Sequence, residues 1–382
     1  MTAGADEDAQ RMRAALSLAQ RGLGLTAPNP TVGCVIAKDG RVMGRGVTQP
    51  GGRPHAEQVA LAQARAAWGA EALRGATAWV TLEPCAHHGR TPPCADALAA
   101  AGVSRVVSTV EDPDPRVRGR GFAALRAAGL EVTTGVLADE ALALNVGFFT
   151  RLALGRPHVT LKLAAALDGR IATASGESRW ITGPAARART HLMRARSDAV
   201  LVGAGTARTD DPMLDVRLPG LEGRRPLRIV ADGGLSLSLM SRLVRSAGER
   251  PLLLMHREGA ARERRDALRA LGVEMLPTGD RNGELLLSDA LARLGARGVT
   301  RVLCEGGGRI AAALLRDDLV DEIAWFAAGA VLGADAAPAV GRLCVERLAN
   351  APTFTLSSHE RLGGDTLSVW TRPLPGLRWS PA

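Results

Sequence analysis

The sequence predicts an α/β protein of two domains. Helical and extended patterns alternate along the whole chain, and the alternation restarts around Gly155-Arg156-Pro157. The 382 residues, 46% of them hydrophobic, also exceed what one ordinary core holds. Strands separated by helix-length segments imply crossover connections and a helix-flanked sheet.

Residues 6–23 set Met12, Leu16, Ala19 and Leu23 on a helical period, with acids at the start where the macrodipole favours them. Residues 30–48 read as a hairpin, two β-rich runs around Lys38-Asp39-Gly40. AEQVALAQARAAW is expected to be helical, ATAWVTLEP extended, CADALAAAG helical and SRVVSTV extended. GFAALRAAG follows as helix, LEVTTGVL as strand and DEALALNVGFFTRLAL as one helix. HVTLKLAAALDGRIA then opens a second α/β unit, with strands expected at 199–202, 227–231, 252–256, 299–304 and 322–327. The domain limits are expected at 1–152 and 153–374, with a proline-rich peripheral tail at 375–382.

The formal net charge is +9, yet lysine occurs only at Lys38 and Lys162, and acids interleave with the arginines. No basic tail or stripe marks a nucleic-acid partner; an excess of this kind suits phosphorylated small molecules. Five cysteines, an odd number, do not make a secreted disulfide framework. The first residues lack the apolar core of a signal peptide, and the longest weakly polar run, 323–334, is too short to span a bilayer. A cytoplasmic homo-oligomer without nucleic-acid or membrane partners is expected.

The chemistry is concentrated in two stretches, PHAE (residues 54–57) and EPCAHHGRTPPC (residues 83–94). His55 and Glu57 fall at a helix start, Cys85 follows a strand, and Cys94 starts the next helix. Catalytic zinc sites use three N/S protein ligands and keep the fourth position for water, and His55, Cys85 and Cys94 supply that set. Glu57, two residues after the histidine, is placed to move protons without ligating the metal. Zinc nucleobase deaminases combine H-x-E, P-C and a second cysteine with such a glutamate. Here eight residues separate the two cysteines, where that signature has two. Singly, each residue has an ordinary reading, as a surface histidine, a first-turn acid or a buried thiol; jointly they satisfy one chemistry and one topology. Arg90, between the cysteines, is suited to a phosphate.

In the second half, Gly203-x-Gly205 follows a strand, but Arg208 occupies the third glycine position of the dinucleotide fingerprint. VLCEGGGRIAAALL is a better phosphate cradle: a strand, three glycines, then an apolar helix whose first amides can approach an anion.

These segments, together with NPTVGCVI, TLEPCAHHGRTPPC, DPDPRVRGRGF, LKLAAALDGRIA, SGESRWITG and RTDDPML in that order, closely resemble the bifunctional riboflavin-biosynthesis deaminase-reductases over almost the whole chain. The resemblance implies a cytidine-deaminase-like α/β/α domain followed by a dihydrofolate-reductase-like α/β domain. It implies zinc-dependent deamination of 2,5-diamino-6-(5-phosphoribosylamino)pyrimidin-4-one, then reduction of its ribosyl group by NADPH. Asn29 would bind the base in the deaminase site. Ser178, Arg194, Leu214, Arg217 and Glu305 would hold the ribosylaminopyrimidine in the reductase site. Ala164, Trp180, Thr206, Asp210, Gly307 and Gly308 would hold NADPH. Lys162, in an otherwise apolar strand, is expected to be catalytic, binding phosphate or assisting ribose-ring opening. A nucleic-acid deaminase, a zinc-stabilised scaffold and a deaminase with a non-reductase second half stay open at this level.

Overall fold

A computed structural model of the chain describes residues 3–87 and 92–373. Arg90 and the 375–382 tail lie outside them. The chain divides between Leu154 and Gly155 into two units, and each builds its own sheet.

The first unit contains α1 (Ala3–Ala19), β1 (Gly33–Lys38), β2 (Arg41–Val47), α2 (Ala56–Trp68), β3 (Thr77–Val80) and α3 (Cys94–Ala100). It continues with β4 (Arg105–Ser108), α4 (Arg120–Ala127), β5 (Glu131–Thr133), α5 (Ala138–Leu144) and α6 (Val146–Leu154). Its sheet has the order β2-β1-β3-β4-β5; β1 pairs antiparallel with β2 and β3, and the β3/β4 and β4/β5 pairs are parallel. Period-2 alternation along β1 builds the layers. Cys34 and Ile36 face a core with Ala60 and Leu61 of α2, Leu98 of α3 and Leu125 of α4. Val35 and Ala37 face Met12 and Leu16 of α1 and Leu144 of α5.

The helix expected to run through residues 139–154 is two helices, broken at Asn145. That side chain accepts a hydrogen bond from Thr31 N (2.9 Å) and donates one to Thr31 O (3.0 Å), a long-range clamp that local periodicity does not reveal. The strand expected at LEVTTGVL is only the three residues of β5.

The second unit opens with β6 (His158–Ala166), β7 (Arg170–Ala172), α7 (Pro184–Ala195), β8 (Ala199–Gly203), α8 (Ala204–Asp210) and β9 (Leu227–Ala231). There follow α9 (Arg242–Arg245), β10 (Leu252–Arg257), α10 (Arg262–Ala270), β11 (Glu274–Thr278), β12 (Asp280–Arg281), β13 (Glu284–Leu285) and α11 (Leu287–Ala296). The unit ends with β14 (Arg301–Cys304), α12 (Gly308–Arg316), β15 (Glu322–Ala328), β16 (Ala337–Pro338), β17 (Thr355–Leu362) and β18 (Asp365–Thr371). The main sheet has the order β11-β10-β9-β8-β14-β6-β15-β18-β17, parallel through β15 and closed at one edge by the antiparallel β17/β18 hairpin. Leu201 of β8 faces a core with Leu291 of α11 and Leu314 of α12. Its neighbours Val200 and Val202 face Ala207 of α8 and Leu268 of α10.

Candidate functional site

The end of α2 that carries His55 is seated by a backbone contact. A Cβ on Gly46 of β2 would fall 2.0 Å from the Ala56 carbonyl oxygen, so only glycine lets the helix start this close to the sheet. His55 is the N-cap residue, and its imidazole makes no capping bond to the helix. Glu57 is in the first turn, 3% exposed. Cys94 opens α3 and its amide donates to Cys85 Sγ at 3.4 Å.

His55 Nδ1 lies 3.6 Å from Cys85 Sγ and 3.4 Å from Cys94 Sγ, and all three donor atoms lie within 4.8 Å of one another. A tetrahedral zinc with Zn–N near 2.05 Å and Zn–S near 2.3 Å requires N···S separations of roughly 3.6 Å, so the donor set fits the ion. The Cys94 hydrogen bond, and after it His55, pull the Cys85 thiol down to about 4 against the effect of burial. Burial, reinforced by the Cys85 charge, pushes Glu57 up to about 7. A Cβ on Gly52 would fall 1.9 Å from Asn29 Nδ2, so Asn29 abuts the strip leading to His55. The structure therefore brings His55, Glu57, Cys85 and Cys94 together, with Asn29 on the adjoining turn.

The second site lies at a topological switch point. From β8 the chain adds β9, β10 and β11 outward; it then returns to insert β14 between β8 and β6. Open parallel sheets bind ligands beyond the strand C-termini at such a reversal. There Gly307, N-cap of α12, donates its amide to Thr206 Oγ1 at 3.2 Å, joining the loop after β14 to the first turn of α8. Among the described residues no side chain caps α12, so its first amides remain available to a phosphate. Gly308 lets another segment approach: a Cβ there would meet the Pro338 carbonyl at 2.7 Å.

Glu305, the residue after β14, takes two hydrogen bonds from Arg194, whose third goes to the Asp215 carbonyl at 2.8 Å. Lys162 Nζ lies 5.6 Å from the Phe326 ring centroid, and burial lowers its pKa while the Glu305 charge opposes the shift. Ala164 is two residues along β6, on the face of Lys162. Leu214 is buried with φ +52°. Arg217 approaches Asp215 at 3.4 Å and donates its amide to His191 Nδ1 at 3.2 Å. Asp210 ends α8 and its carbonyl accepts from Arg179. Trp180, 68% exposed, carries the Arg187 guanidinium 4.7 Å from its ring centroid. Ser178 is half-buried on the same loop.

Lys162, Arg194 and Glu305 are thus neighbours, and Thr206 and Gly307 touch. Arg194 is committed to Glu305 and Asp215, which leaves Arg217 the freer of the two arginines expected to meet phosphate. The sequence reading missed His191 and Asp215; His191 stands one helical turn before Arg194, a spacing that could have revealed it.

Comparison with known proteins matches both halves of the chain. Residues 5–110 match the family model described as the cytidine and deoxycytidylate deaminase zinc-binding region, and residues 157–368 match the RibD C-terminal domain. The riboflavin biosynthesis protein RibD of Escherichia coli K12 is 43% identical over 370 residues, covering 94% of this chain and 98% of that protein. Its Aquifex aeolicus counterpart is 38% identical over 96% of this chain and 98% of its own length. Among solved structures, Acinetobacter baumannii RibD superposes with a TM-score of 0.84 at 38% identity, covering 97% of this chain and 99% of that one. A diaminohydroxyphosphoribosylaminopyrimidine deaminase/5-amino-6-(5-phosphoribosylamino)uracil reductase from Thermotoga maritima also gives 0.84, at 35% identity over 96% and 99%. With its two halves matched in order and its relatives covered nearly end to end, the chain belongs to the RibD family of riboflavin biosynthesis proteins.

Proposed function

We propose that the chain carries out two consecutive steps of riboflavin biosynthesis on one phosphorylated pyrimidine. The first unit deaminates 2,5-diamino-6-(5-phosphoribosylamino)pyrimidin-4-one, and the second reduces the ribosyl group of the product to ribityl. The observation that carries this reading is the presence, in one chain, of a zinc-shaped His55/Cys85/Cys94 set beside buried Glu57 and of the Lys162/Glu305/Arg194 cluster at a cofactor-type switch point.

Zinc, when bound by His55, Cys85 and Cys94, supplies an activated water for attack on the amidine-like ring carbon. Glu57, raised toward neutrality, carries two protons in turn on its carboxylate: the first from the attacking water to the ring nitrogen, the second from the newly added hydroxyl to the amino group, which leaves as ammonia. Asn29 orients the base. NADPH, when bound, supplies the hydride for the second step. Gly307, Gly308 and Thr206 hold its phosphates, with Ala164, Trp180 and Asp210 along its length. Ser178, Leu214, Arg217 and the Arg194–Glu305 pair position the ribosylaminopyrimidine, and Lys162 assists opening of the ribose ring.

The deaminase half is tested with Glu57→Gln. Ammonia release should fall by roughly 100-fold or more while the protein keeps its zinc; undiminished release would remove Glu57 from the chemistry.

A further inference from the structure

The segment that delivers Cys85 also anchors a second loop at the deaminase site. Strands β3 and β4 run parallel, with Val80 opposite Ser108, so the chain leaves both at the same end of the sheet. After β3 come the metal ligands; after β4 comes the loop leading to α4. Two bonds continue the pairing beyond the strands, from Glu83 N to Val110 O (3.1 Å) and from Thr109 Oγ1 to Thr81 O (2.8 Å).

Glu83, three residues beyond β3, reaches across to the other loop. Its buried carboxylate, 3% exposed, accepts four backbone amides from the other loop: Asp112 (3.0 Å) and Gly119 (3.0 Å) on Oε2, Gly121 (2.8 Å) and Phe122 (3.3 Å) on Oε1. Gly119, the N-cap of α4, is in the left-handed region and offers no side chain as a cap. The first amides of α4 need an acceptor, and Glu83 is that acceptor from 36 or more residues away. Contact is as close as the backbone permits: a Cβ on Gly121 would lie 1.9 Å from the Pro84 carbonyl oxygen, one residue before Cys85.

We infer that Glu83 is a positioning residue for deamination, fixing the 112–122 loop to the Cys85 segment so that the metal ligands and the loop beside them form one rigid wall of the substrate pocket. The inference rests on the deaminase reading above. Both ends of the loop are held, at Asp112 and at Gly119 to Phe122, while Arg116 and Arg118 between them remain largely exposed. Without the carboxylate the metal ligands keep their own contacts, and the loop loses its register against them.

The full chain, loaded with zinc, is compared with Glu83→Ala and Glu83→Gln. Amide hydrogen exchange at residues 112, 119, 121 and 122 should rise by about tenfold or more in Glu83→Ala. Its deaminase kcat/KM should fall by about 10- to 100-fold, with much of the loss in KM, while zinc per chain stays at the wild-type value. Glu83→Gln, which keeps the shape but not the charge, should be intermediate, and it decides the matter if the alanine variant does not fold. NADPH oxidation with already deaminated substrate should be unchanged in both variants. Normal deamination kinetics in both, or a loss fully explained by missing zinc, overturns the inference. Wild-type protein that released no ammonia would contradict the deaminase reading itself, and this inference with it.

Discussion

Arg194 and Glu305 form a two-point ion pair, Nε to Oε1 at 2.6 Å and Nη2 to Oε2 at 2.9 Å, across 111 residues of sequence. Their side chains are only 12% and 9% exposed. Two buried charges at this spacing are each other's main compensation, and Lys162 is the next cation that Glu305 senses.

Removing one member strands the other. Arg194→Met should cost the second unit about 3–5 kcal/mol, read as a lower denaturant midpoint. Burial works to raise the Glu305 pKa, but the Arg194 charge and hydrogen bonds outweigh it and hold it below the ordinary value. A carboxylate lowered in the folded state adds stability that is present above its unfolded pKa of about 4.3 and is lost as pH falls through the folded value. Titrating stability from pH 6 downward should therefore show acid weakening of the second unit beginning near pH 4, and Glu305→Gln should reduce that slope.

Lys162→Met separates chemistry from packing. Lys162 is half-buried in a strand of apolar neighbours, and desolvation lowers the pKa of its amine. Methionine is of similar length and carries no charge to desolvate, so the melting temperature should hold or rise. Reductase kcat/KM on deaminated substrate should fall by about 100-fold or more with NADPH binding retained by fluorescence titration. Normal turnover would take Lys162 out of the reaction.

Asn145→Ala tests the clamp on the turn that carries Asn29. It leaves Thr31 N and Thr31 O buried without their partner, at a cost of about 1–3 kcal/mol for each unpaired group. The deaminase KM should rise as the turn loosens, and the reductase step should not change. A variant with wild-type stability and deaminase KM would show that the turn is held by other contacts.

What was legible in the sequence follows from how each feature is encoded. The zinc ligands could be read because donor chemistry, helix starts and a strand end coincide within 40 residues, from His55 to Cys94. Strands β8 and β10 could be read because both faces are buried, which gives the apolar runs 199–202 and 252–255. Edge strand β17 went unread: Thr355, Ser357, Ser358 and His359 are exposed and no apolar alternation marks them. Asn145, Glu83 and the Arg194–Glu305 pair escaped for a different reason. Each works on a partner 29 to 114 residues away, and no local pattern records it.

The central claim is two activities in a fixed order on one chain. The most direct measurement is NADPH oxidation by the zinc-loaded protein given the 2,5-diamino phosphoribosylaminopyrimidine, run beside Glu57→Ala. Oxidation should depend on that substrate, vanish in Glu57→Ala, and return in the variant when deaminated substrate is supplied. Ammonia release by the wild type without NADPH oxidation, on either substrate, would contradict the account of the second unit.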